Sequence, residues 1–173
     1  MRHCSLKTLF LASALIVAGC TVSYQMNGAS IDYTTTKTIT IEPFSNRAAY
    51  QWAPMATMFN TTLCDRYNNQ TKLQQVRRDG DLMLSGEITS YDQTNKSISA
   101  DGFSSMVQLK MTVKVKFVNN KQHKDDFDKS FSANREYDAS QQLSAVQEEL
   151  VQQMIDDIVD QVFNETVAKW KAK

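Results

Sequence analysis

Cys20 closes the run Val17-Ala18-Gly19-Cys20, and its neighbours make it the residue best placed for a covalent fate. Small side chains before the thiol let a peptidase approach the backbone. The apolar stretch 9–17, behind Arg2 and Lys7, is too short to span a bilayer as a stable helix. Together these features read as a signal peptide over residues 1–19 with lipid attached at Cys20. A second set is Lys110, Lys114 and Lys116, which share one parity along a regular stretch and so present ammonium groups that can meet anions as point charges. The same lysines also suit a plainer role, as solvating charges that protect a sheet from wrong pairing. Tyr50 and Trp52, just before Pro54, form a third set, since amphipathic rings suit either an interface or burial against the start of a helix.

Enzymatic chemistry finds little to work with. After residue 19 the chain has a single histidine, His123, in a charged stretch with Lys121, Lys124 and Asp125, and it lacks a nucleophile elbow, a phosphate loop and paired metal-ligand spacing. Asp125-Asp126-Asp128 and Asp156-Asp157-Asp160 lack the spaced oxygens and turn glycine of a calcium loop, so they read as solvated loop and helix faces. Cys64 falls among apolar residues at helical spacing and reads as a packed thiol. No enzyme activity, cofactor or metal is expected.

The sequence around Cys20 resembles the lipobox of bacterial lipoproteins, in which the cysteine becomes the acylated first residue. Cys4 leaves with the signal and Cys20 is consumed by lipid, so Cys64 has no partner for an internal disulfide and the domain must hold itself together by its core. Removing residues 1–19 takes Arg2 and Lys7 from 19 basic residues and nothing from 19 acidic ones, leaving a nearly neutral chain that does not suit nucleic acid. No second apolar segment approaches the roughly 20 residues of a membrane span. Several acyl chains on one cysteine hold firmly, at about 0.8 kcal/mol per buried methylene.

The elements that must position these side chains follow from periodicity. Residues 20–36 read as the lipidated terminus and a tether, and 37–173 as one domain. A strand is predicted over 37–44 and a loop over 45–53. Pro54 then suits the first position of a helix over 54–69, with Met55, Met58, Phe59, Leu63 and Tyr67 at helical spacing. Short strands follow at 73–76 and 82–91, with Leu82, Leu84, Gly86 and Ile88 on one face. The clearest period is Val107, Leu109, Met111, Val113, Val115 and Phe117, a strand with one buried face; 127–137 alternates again and completes an antiparallel hairpin. Lys129 and Arg135 share parity with Phe127, Phe131 and Ala133, which calls for a bulge or strand end to release them. A long amphipathic helix is predicted over 140–171, started by Asp138 and Gln141, with Trp170 on its apolar stripe. The fold class is α+β, a two-layer sandwich with two helices on one face of a mostly antiparallel sheet of four to five strands.

Several stretches in this order carry a resemblance: Gly28-Ala29-Ser30-Ile31-Asp32, Lys37-Thr38-Ile39-Thr40-Ile41, Asn46-Arg47-Ala48, Gly86-Glu87-Ile88-Thr89, Phe131-Ser132-Ala133 and Gln147-Glu148-Glu149-Leu150. With Cys20 they resemble the LptE family of lipopolysaccharide-assembly lipoproteins over nearly the whole mature chain. The resemblance implies a lipid-anchored protein on the periplasmic side of the outer membrane. It would plug a large β-barrel, LptD, with which it delivers lipopolysaccharide to the outer leaflet. For such a phosphorylated glycolipid the best local candidates are Lys110, Lys114 and Lys116, whose ammonium groups could meet lipid A phosphates or acidic sugars; Tyr50 and Trp52 are candidates for a barrel contact or a membrane-interface contact, with burial against the helix start the alternative. Thr21 is not an inner-membrane retention residue of the Asp type. Two competing readings are a stand-alone outer-membrane lipoprotein that binds an amphiphile, and a pilotin for a secretion barrel.

Overall fold

The strict alternation of Val107 to Phe117 builds a strand that is paired along both of its edges. In the computed structural model, which describes residues 31–98 and 104–168, Val107, Leu109, Met111, Val113, Val115 and Phe117 are all buried while Lys110, Lys114 and Lys116 are exposed on the other face. The chain is described below through β1 (Thr38–Ile41), β2 (Ser45–Asn46), α1 (Pro54–Gln70), β3 (Gln74–Gln75), β4 (Leu82–Ile98), β5 (Ser104–Asn119), β6 (Phe127–Asp138) and α2 (Leu143–Phe163). The sheet order is β3-β1-β4-β5-β6, with β2 also on β4. Its long ladders, β4 with β5 and β5 with β6, are antiparallel, and the short β1, β2 and β3 pairings are parallel. Both helices cover one face, which is the α+β two-layer arrangement.

The first predicted strand is interrupted. β1 stops at Ile41, and Glu42-Pro43-Phe44 leaves the ladder before β2 resumes beside Ile88. Phe44 turns inward, 2% exposed, with its ring 5.1 Å from that of Phe59. Gly86 makes room for it: a Cβ there would lie 2.1 Å from the Lys114 carbonyl oxygen and 2.5 Å from the Phe44 ring. Residues 31–36, read from the sequence as tether, also pack: Ile31 joins the core and Tyr33 accepts a hydrogen bond from the Lys72 N–H at 3.3 Å.

β4 runs on to Ile98 rather than stopping at Tyr91. Ile88 pairs with Val113 and Ser90 with Thr112, so Thr89 is an extra residue, and its hydroxyl donates to the Thr112 carbonyl at 3.2 Å. The bulge moves the inward positions from even to odd numbers. Leu82, Leu84 and Ile88 face the helices below it, and Tyr91, opposite Met111, faces them above it.

α1 starts with Pro54 at its first turn and buries Met55, Phe59, Leu63 and Tyr67, four residues apart on one face. α2 begins later than predicted: Asp138 caps a turn through the Ser140 N–H at 2.8 Å, and Gln142, without a side-chain cap, precedes the helix. At its far end α2 widens into a π-helical turn, Asn164–Ala168, while Trp170 and the terminal lysines lie outside the described residues. The helices run side by side in the same direction, joined in turn by Thr62–Gln152, Arg66–Asp160 and Tyr67–Phe163. The Tyr67 hydroxyl meets that of Thr166, and burial raises its pKa above the ordinary phenol range.

Lys129 and Arg135 do lie on the helix side of β6, yet neither a bulge nor a strand end releases them, because the β5–β6 register is unbroken from Phe117↔Phe127 to Met106↔Asp138. The acidic flank of α2 and its extension receives them instead. Lys129 pairs with Glu165 and sits 5.2 Å from the Phe127 ring centroid. Arg135 bonds Gln153 at 2.9 Å and Asp157 at 2.7 Å.

Candidate functional site

Two surfaces carry the residues singled out above, and they lie on opposite faces of the β4–β5 pair. The first is the open face of the sheet. There Lys110 stands between Asp92 and Asn134, Lys114 between Glu87 and Ser130, and Lys116 between Ser85 and Asp128. Lys114 to Lys116 spans one strand repeat of about 7 Å and Lys110 to Lys114 two, so the ammonium groups form a row. Carboxylates interleave with them: Lys114 pairs with Asp128 at 3.3 Å, both side chains 51% exposed, and a shallow hollow is lined by Gly86, Glu87, Lys114, Lys116 and Asp128. An ion pair so exposed contributes about 1 kcal/mol at most, so Asp128 does not bar Lys114 from a stronger anion.

The second surface is the end of the helix layer, where the loop after β2 meets the bulged part of β4. Tyr50 is the exposed large hydrophobic side chain among the described residues, at 52%, and its ring stacks on Tyr91 at 5.6 Å and 25°. The Tyr91 hydroxyl accepts a hydrogen bond from the buried Gln147 amide at 3.1 Å, and burial pushes its pKa up. Ala49, Tyr50, Tyr91, Asp92, Gln93, Leu109 and Leu143 line a groove of about 490 Å3. Trp52 does not share this exposure. It packs partly buried against the core, and its carbonyl accepts the Met55 N–H at 3.1 Å as α1 begins.

The remaining candidates separate. Cys20 lies outside the described residues. His123 is exposed, with Nδ1 3.1 Å from Asp126, and Cys64 is half-buried with its thiol pushed up by burial and then by Asp65. Asp157 and Asp160 are committed to Arg135 and Arg66, and among the described residues no group of three His, Cys, Asp or Glu side chains is placed to hold a metal. No described helix is long and apolar enough to cross a membrane. The Tyr50–Tyr91 stack escaped sequence reasoning because Tyr91 has the wrong parity for the strand 82–91. Its odd number, set against Leu82 to Ile88, was the signal for a bulge.

A mixed sheet with two parallel helices on one face, a charged open face and an aromatic groove defines an α+β module with two surfaces available to a ligand or partner. The chain belongs to the LptE lipopolysaccharide-assembly family, whose model matches residues 36–166. Its fold is similar to that of the uncharacterized lipoprotein B from Nitrosomonas europaea, at 16% identity and TM-score 0.56, covering 79% of this chain and 86% of that one. It is also similar to the rare lipoprotein B from Shewanella oneidensis, at 16% identity and TM-score 0.50, covering 72% and 91%. The minor lipoprotein from Acinetobacter baumannii, at 15% identity and TM-score 0.50, covers 75% and 91%. At these identities the likeness is one of fold. Comparison with curated proteins gave no match.

Proposed function

We propose that this protein is a non-enzymatic lipoprotein of the outer membrane, held on the periplasmic side by lipid on Cys20, that assists lipopolysaccharide assembly as plug and partner of an LptD-like β-barrel. The family match over residues 36–166 carries the reading. Acylation confines the domain to the membrane plane and raises its effective concentration at a membrane partner. The open face of the sheet supplies Lys110, Lys114 and Lys116 for phosphates of the glycolipid, reached as point charges on flexible stems. The loop that carries Tyr50, and that Trp52 anchors to the core, supplies the contact with the barrel and leaves the outer ring face of Tyr50 to the groove.

Mild-detergent extraction of the acylated protein from native membranes, with mass spectrometry of what copurifies, tests this reading. A large barrel protein at one-to-one is expected. Recovery of the chain alone, its lipid intact, would overturn the plug role and favour a stand-alone amphiphile binder, for which the groove beside Tyr50 is the specific observation.

A further inference from the structure

The groove beside Tyr50 has a chemistry different from that of the lysine row. One face of the Tyr50 ring rests on Tyr91 at 5.6 Å, and the other is open to water in a side chain that is 52% exposed. An aromatic ring held flat by a second ring, with its free face bare, is a platform rather than a core residue. Around the platform the groove offers apolar walls from Ala49, Leu109 and Leu143, together with two neutral polar groups, the Tyr50 hydroxyl and the Gln93 amide. Tyr91 itself is 3% exposed, its hydroxyl held by the buried Gln147 amide, so it serves as the rigid support of the platform. Asp92 is the one charged residue that lines the groove, and the lining carries no cation to attract an anionic group. Asp92 is paired in register with Lys110 on the other face and accepts a hydrogen bond from Ser90 there.

We propose that this groove is a saccharide subsite, in which one neutral pyranose ring lays its C–H face on the exposed Tyr50 and its hydroxyls bond the exposed Gln93 amide. The partly positive C–H bonds of a sugar meet the negative face of the ring, as aromatic edges do in a tilted pair. A volume of about 490 Å3 lies within the range of small-ligand sites. An acyl chain would want a closed apolar sleeve, whereas this groove is open along Tyr50. Beyond Ile88 no strand pairs with the outer edge of β4 among the described residues. A glycan chain can therefore round that edge, with sugar on the helix side and phosphate at the lysine row. The inference rests on the reading of this chain as a handler of lipopolysaccharide and names the part of it that the groove takes.

The probe is the oligosaccharide of lipopolysaccharide, fully deacylated and dephosphorylated. It is titrated into the full-length acylated protein in a zwitterionic detergent that carries no sugar, and followed by calorimetry and saturation-transfer NMR. Binding is expected, with saturation concentrated on the ring protons of one sugar face. Tyr50→Leu, checked for an unchanged circular dichroism spectrum and melting temperature, should weaken it about tenfold, while Tyr50→Phe stays within about threefold. Lys110, Lys114 and Lys116 changed together to Ser should leave it unchanged. A Tyr50→Leu variant that binds like the parent overturns the subsite. So does a parent that binds lipid A vesicles and not the oligosaccharide, which leaves the proposed function standing. A parent that binds neither overturns the subsite and the glycolipid contact of the lysine row together.

Discussion

Asn60 holds Phe44 by both groups of its backbone: its Oδ1 accepts the Phe44 N–H at 2.8 Å and its Nδ2 donates to the Phe44 carbonyl at 3.0 Å. One amide side chain on α1 thus replaces the ladder bonds that Phe44 gives up where the strand breaks between β1 and β2. Asn60→Ala leaves both groups unpaired beside the core and should destabilise the protein by about 2–3 kcal/mol. Urea unfolding of the parent and variant measures this, and a loss under about 0.5 kcal/mol would mean that water or backbone motion satisfies Phe44 equally well.

Gly86 is the counterpart of that inward turn. With the Phe44 ring and the Lys114 carbonyl oxygen already where a Cβ would stand, Gly86→Ala must push β5 or Phe44 aside. A cost of about 3 kcal/mol is expected, visible as a lower melting temperature, and combining it with Phe44→Leu should recover part of the loss because the ring is one of the two obstacles.

Asp81 ties the start of β1 to the sheet. Its carboxylate accepts the Lys37 N–H at 2.8 Å and the Thr38 N–H at 3.1 Å, and pairs with Lys121 at 2.9 Å. These donors, the Lys37 N–H foremost, hold its carboxyl well below the usual carboxylate range despite the opposing effect of burial. A folded pKa below the unfolded one means that the unfolded chain binds more protons in the window between them. The contribution is therefore complete above about pH 4 and fades as the solution is acidified further. Asp81→Asn should cost about 1–2 kcal/mol at pH 7 and less at pH 3, narrowing the gap to the parent. Denaturant midpoints at the two values of pH decide it, and a constant gap would assign the effect to packing alone.

Lys110, Lys114 and Lys116 changed together to Ser should leave stability within about 0.5 kcal/mol, because all three stems lie on an exposed face and only weak surface pairing is lost. Binding to vesicles containing lipid A should fall at least tenfold if each lysine contributes about 1 kcal/mol to an anionic surface. Equal binding by the triple variant would leave the lysines as solvating charges that guard the sheet.

Cys20→Ala should release the protein from membranes into the soluble periplasmic fraction, since it removes the thiol that carries the lipid. Fractionation followed by immunoblotting reads the outcome. Retention of the variant in membranes that hold no barrel partner would show a second anchor.

The elements of the fold were legible wherever a single period ran long enough. The alternation from Val107 to Phe117, the spacing of Met55, Phe59, Leu63 and Tyr67, and the stripe along α2 each named their buried face, because burial of one face is what imposes the period. Ends and interruptions were less legible. The break at Phe44 and the bulge at Thr89 depend on partners distant in the chain, Asn60 and Thr112, and the late start of α2 follows from a local turn at Asp138 where β6 ends. Lys129 and Arg135 looked misplaced only because their acceptors, Glu165 and Asp157, belong to a helix whose flank overhangs β6.

The sequence by itself determined the parity of the lysine row, the apolar faces of both helices and the order of strands and helices, since local spacing sets which side of an element an apolar core can use. Only the tertiary structure decided what those faces meet. The bulge at Thr89 turns Tyr91 inward under Tyr50, and β4 then carries charge on one side and an aromatic groove on the other. A one-residue insertion in a ladder exchanges every later side chain between faces, and whether it occurs is settled by the packing of the whole sheet against its helices.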